Sequence, residues 1–103
     1  LDIPNPGSSL ECIALANGHW VLVCNDTING RHILGAYLSG DEGATWKWTR
    51  HLDRTEKGKG GFAYPTAIQG NDGRIHVSYT HSVDEGKTIK HAAFTPEWVE
   101  QGD

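Results

Sequence analysis

No stretch of this 103-residue chain approaches the roughly 20 consecutive apolar residues that span a bilayer, and no signal-peptide pattern opens it. Methionine is absent altogether, which points to a processed or excised piece. Positive charge is scarce. Nine Lys and Arg stand against thirteen Asp and Glu, for a net charge of −4, so neither nucleic acid nor an anionic membrane is the expected partner. Hydrophobic residues make up only 37%, a thin supply for a free-standing core in one domain of this length. No Cys/His spacing matches a zinc site, and Asp84-Glu85-Gly86 is too short for a calcium loop. No metal or other cofactor is expected.

Cysteine is limited to Cys12 and Cys24, which flank the Asn17-Gly18 turn. A two-residue turn pairs Ala16 with His19 and sets Cys12 opposite Val23. One extra loop residue sets the two sulfurs face to face instead. The register decides between a disulfide and two buried free thiols, the simpler state, and leaves the redox compartment open.

What the chain does have is glycine, thirteen in all, spaced by turn dipeptides between short apolar runs. That is the signature of many short strands. Leu1–Ser8, with two prolines, reads as a non-regular lead-in. Ser9–Ala16 alternates like a half-buried strand, with Glu11, Ile13 and Leu15 on one face. Asn17-Gly18 favours a hairpin turn, His19–Asn25 is apolar enough for a strand covered on both faces, and His32–Ser39 is the third strand. Thr45–His51 is the fourth, with Trp46 and Trp48 predicted on one face. Four strands in about 45 residues is the size of one β-propeller blade. Asp53–Gly61 reads as a polar connector. A shorter series follows: strands at 62–69, 74–81 and 87–94, with Asn71-Asp72-Gly73 placed as Asn17-Gly18 is in the first. Glu97–Glu100 fits either a helical turn or a weak fourth strand.

Between the third and fourth strands stands Ser39-Gly40-Asp41-Glu42-Gly43-Ala44-Thr45-Trp46, the pattern Ser-x-Asp-x-Gly-x-Thr-Trp. Asp41 can fold its carboxylate onto following backbone N–H groups, Gly43 supplies a positive φ, and Trp46 has a large apolar face to bury. This stretch resembles the Asp-box of sialidase-like propellers, where it is structural. With Asn5-Pro6-Gly7-Ser8-Ser9-Leu10-Glu11, Tyr64-Pro65-Thr66-Ala67-Ile68-Gln69 and Asp72–Thr80, the chain resembles the C-terminal third of a BNR/Asp-box sialidase-like protein across Asn5–Pro96. The expected fold is all-β: about two antiparallel propeller blades (9–52 and an incomplete 62–100, joined by 53–61). Two blades cannot close a ring, so a homo-oligomer is expected, either three copies in a six-bladed ring or a two-fold pairing of sheets.

The resemblance also implies a glycosidase-type site for a carbohydrate, possibly an acidic sugar. In the family a tyrosine attacks the anomeric carbon, an acidic residue takes its proton and arginines clamp the substrate carboxylate. Tyr64 looks like the nucleophile, Glu11 like its base and Arg31 like one clamping arginine. A free tyrosine, with a pKa near 10, needs such a base at neutral pH. The family's acid/base aspartate and a further arginine come from earlier blades, which this sequence does not contain. That leaves a non-catalytic carbohydrate-binding or structural module as the alternative. Each residue also has an ordinary reading: Tyr64 as a buried strand start, Glu11 as an exposed strand end, Arg31 as a solvated loop charge. His76 and His81, five apart on one strand, face opposite sides and read as structural or surface residues. Trp46 and Trp48 suit stacking on a sugar face, but the box makes at least one of them core. Asn25-Asp26-Thr27 is formally a glycosylation sequon.

Overall fold

A computed structural model describes residues 10–27, 30–55, 60–83 and 86–102. The lead-in 1–8, connector residues 56–59 and two residues of the turn at 84–86 lie outside the described residues. The first sheet (sheet A) is a meander of β1 (Glu11–Ala14), β2 (Trp20–Asn25), β3 (Ile33–Ser39) and β4 (Trp48–Arg54). The second (sheet B) holds β5 (Gly61–Gln69), β6 (Ile75–Val83) and β7 (Gly86–Phe94). All neighbouring strands are antiparallel, as the short turns between them require. Asp53 and Arg54, expected in the connector, instead extend β4.

The register of the first hairpin matches neither expectation. Leu15 N donates to His19 O at 2.7 Å, leaving a three-residue loop, and Cys12 faces Leu22. A type I′ turn needs positive φ at both central residues, and here only Gly18 (φ 88°) has it. Both cysteines are free thiols; Cys24 is buried and Cys12 is exposed rather than buried.

The two sheets pack face to face on one core. Val21, Val23, Leu34, Ala36 and Leu38 of sheet A meet Phe62, Ala67, Ile75, Val77 and Tyr79 of sheet B. Each aliphatic or aromatic side chain so buried contributes about 1.5–3 kcal/mol. A polar bolt crosses the same interface. Tyr79 Oη donates to Asp53 Oδ2 at 2.8 Å, and Lys90 Nζ donates to the same oxygen at 2.6 Å. Burial pushes the Asp53 carboxyl up, but the Lys90 and Tyr79 bonds outweigh it and hold it below its ordinary range.

After β7 the chain forms a short helix, α1 (Pro96–Gln101), instead of a fourth strand. Thr95 is its N-cap, accepting from Trp98 N at 3.2 Å, and Pro96 occupies the first turn, where a missing N–H costs nothing. The helix folds back on β4 and β3. There Arg50 lies 3.9 Å above the Trp98 ring and donates to Trp98 O at 3.1 Å.

The outer face of sheet A is closed by the chain itself. Leu22, Cys24 and Tyr37 form a second small core under Trp46. Trp48 joins the main core on the other side, so the two tryptophans do not share a face. The difference arises because β4 begins only at Trp48, and strand alternation does not extend back to Trp46.

Candidate functional site

Two seams join the sheets along β1 and β5. At one end Ala16 N donates to Gln69 Oε1 at 2.8 Å; at the other, Asn25, which the β1–β2 register sets beside residue 9, donates from Nδ2 to Phe62 O at 3.1 Å. The two edge strands therefore run side by side in the same direction. Glu11 and Tyr64 each stand five residues before the Ala16–Gln69 contact, which brings their backbones to similar levels along the seam. Arg31 joins the same end. Its carbonyl accepts from Phe62 N at 2.7 Å, and a Cβ on Gly61 would lie 3.1 Å from the Arg31 Cβ. The three candidate residues thus converge by backbone on one end of the seam.

Their side chains are less well gathered. Tyr64 has φ 51° and is 64% exposed, at the irregularity where the β5–β6 register shifts between Ala63 and Thr66. A bulky residue in this left-handed region is a genuine outlier, and Tyr64 precedes proline, which ordinarily favours extended backbone. The reading of Tyr64 as a buried strand start is therefore corrected: the bulge turns the ring outward. It lines a shallow depression of ≈ 130 Å³ with Thr66, Ser78, Thr80 and Ile89 on the outer face of sheet B. Glu11 is half-buried and pairs with Val23, so it shares the inner face of sheet A. Among the described residues no hydrogen bond joins Glu11 to Tyr64, and the Arg31 side chain is exposed.

Two groupings were not visible in the sequence. On the outer face of sheet A, Asp26 accepts from Tyr37 Oη and from His51 Nε2, the latter at 2.6 Å, while Arg54 Nη2 donates to His51 Nδ1 at 2.6 Å. Because a guanidinium only donates, His51 presents Nδ1 as acceptor and Nε2–H as donor. Burial, then the bond to Asp26, raises the Tyr37 phenol far above its ordinary value. Gly35 leaves the room for this network; a Cβ there would lie 3.2 Å from the Asp26 Cβ. The network ties the 26–32 loop to β3 and β4. On sheet B, the His76 and His91 rings lie nearly parallel (9°), with His76 Nδ1 3.2 Å from His91 Nε2. They line an open depression of ≈ 470 Å³ with Thr66, Ile68, Gly70 and Ser78. His81 faces the other way and stacks on Phe62 at 4.9 Å, as strand alternation predicts.

The sequon is internal: Asn25 is 1% exposed and its Nδ2 donates to Phe62 O and Ile33 O, leaving no access for a glycan in the folded chain. Among the described residues no group of three His, Cys, Asp or Glu side chains is placed to hold a metal ion, and no helix is long and apolar enough to cross a membrane.

The box itself is built as its residue types require. Asp41 Oδ1 accepts from Thr45 N (2.8 Å) and from Ser39 Oγ (2.7 Å), and Asp41 Oδ2 accepts from Thr45 Oγ1 (2.6 Å). Ser39 Oγ in turn accepts from Gly43 N at 2.9 Å, and Gly43 has φ 86°. No curated protein gives a match to the chain. Residues 1–77, which carry the whole first sheet, the box and Tyr64, match the family model described as a BNR repeat-like domain, and the chain belongs to that family.

Proposed function

We propose that the two sheets are consecutive blades of a propeller-type stack and that the chain is a sialidase-like glycoside hydrolase fragment acting on acidic sugars. Tyr64 is the nucleophile, Glu11 the base that takes its proton, and Arg31 the cation that grips the sugar carboxylate. The observation that carries this reading is the Tyr64 backbone. A left-handed tyrosine in mid-strand costs about 1–3 kcal/mol, and such strain gathers at functional sites. The seam adds support, because it sets Arg31 three residues from Tyr64 across a close backbone contact and draws β1 alongside. A planar guanidinium there suits bidentate binding of a carboxylate.

A second reading is favoured by the Tyr64 ring itself, which lies over sheet B without a hydrogen bond to Glu11. In that reading the chain binds carbohydrate without cleaving it, or serves as scaffold only. Hydrolysis of a fluorogenic sialoside that disappears in Tyr64→Phe supports the enzyme. Saturable binding of sialylated glycans without turnover supports the binding module. Neither signal would remove both sugar readings.

A further inference from the structure

We infer that this chain pairs with a second copy of itself through the outer face of sheet B, about a two-fold axis, rather than adding copies head to tail into a ring. The argument rests on an asymmetry between the two ends of the stack. A ring of identical chains needs both outer faces open, so that sheet A of each copy packs on sheet B of the next. Sheet A's outer face is already closed. Leu22, Cys24 and Tyr37 are no more than 5% exposed beneath Trp46, Gly43 sits over Trp20, and the Asp26 network occupies the remaining end. Sheet B has no such cover. Of four exposed large hydrophobics among the described residues, Tyr64, Ile68 and Ile89 stand on sheet B, at 64%, 66% and 74% exposure.

The composition of that face fits its own copy. Across its middle it presents Thr66, Ile68, His76, Ser78, Ile89 and His91, with no carboxylate and no fixed cation to meet its like across a two-fold axis. Edge-to-edge pairing is less favourable, because the β7 edge carries Lys87 and Lys90, charges that guard against strand addition. Three strands about 4.8 Å apart and about nine residues long offer a face of roughly 14 by 30 Å. Two such faces bury about 800 Å² before side-chain relief is counted, at the low end for a specific pair, so association is reversible and roughly micromolar. Pairing also roofs the depression that Tyr64 lines, so that a sugar reaching it is held between two chains.

Light scattering after size exclusion tests this on the whole chain, across a dilution series. The expected result is a mass of twice 11.3 kDa at high concentration that falls toward 11.3 kDa on dilution. Ile68→Glu with Ile89→Asp is expected to hold the protein at 11.3 kDa throughout, with an unchanged far-UV circular dichroism spectrum. A mass three times that of the chain, a monomer at every concentration, or a dimer indifferent to the paired substitution would overturn the inference. Sialoside turnover is read separately, so either proposal can fail without the other.

Discussion

Thr45 binds both carboxylate oxygens of Asp41, through its backbone N–H at 2.8 Å and its hydroxyl at 2.6 Å. This clamp turns β3 toward β4 and lays Trp46 over Leu22, Cys24 and Tyr37. The box thus seals one face of the sheet.

The clamp makes stability depend on pH. The side-chain and backbone bonds from Thr45, then that from Ser39, lower the Asp41 carboxyl from 3.8 to about 2. A depressed folded-state value means the stabilisation is complete above the unfolded value and is lost as pH falls from about 4 to about 2. Urea midpoints measured across that window should fall for the parent protein, with a shallower fall in Asp41→Asn. Equal slopes would show that the clamp contributes nothing.

Gly43 and Gly73 both have positive φ, at 86° and 82°, but only Gly43 is crowded. A Cβ there would lie 3.0 Å from two Trp20 ring carbons, whereas nothing approaches within 4 Å at Gly73. Gly73→Ala should therefore cost only the left-handed penalty of about 1 kcal/mol. Gly43→Ala should cost about 1 kcal/mol more, as Trp20 is displaced. Denaturant titration of the two variants checks the order.

Tyr79→Phe removes one hydrogen bond to Asp53 and leaves the Lys90 contact. The loss should be about 1.5 kcal/mol, since the acceptor is charged and the site is half-buried. Lys90→Ala should cost less than Tyr79→Phe, because its ammonium is well exposed and screened. The reverse order in thermal melts would place the strength of this bolt in the ion pair.

If the tyrosine at 64 is kept for function at the expense of stability, Tyr64→Gly should stabilise the protein by about 1 kcal/mol while abolishing sugar binding or turnover. Its exposure means little packing is lost. A destabilised Tyr64→Gly protein would show that the ring supports the fold.

Much of the fold can be read in the sequence, because alternation and turn residues act locally. All seven strands fall within the runs that Asn17-Gly18, the Asp41 box and Asn71-Asp72-Gly73 separate. Register was less legible: whether Asn17 adopts positive φ is settled by a single residue, and it shifts every pair on β1. Helix α1 was half legible, for Thr95-Pro96-Glu97 is a good helix start although Pro96 also ends a strand. Of the candidate site, the convergence of Glu11, Arg31 and Tyr64 on one seam follows from family pattern. The outward turn of the Tyr64 ring does not, since nothing in Ala63-Tyr64-Pro65 signals a bulge. Asp26, Tyr37, His51 and Arg54 meet only through sheet pairing, so no local pattern marks them.

The asymmetry of the two outer faces is tested most directly by amide NMR spectra recorded over a dilution series. Resonances of Thr66, Ile68, Ser78, Ile89 and His91 should shift with concentration, while those of Leu22, Cys24 and Tyr37 stay fixed. Shifts on the sheet A residues, or a spectrum that does not change with concentration, would contradict the account.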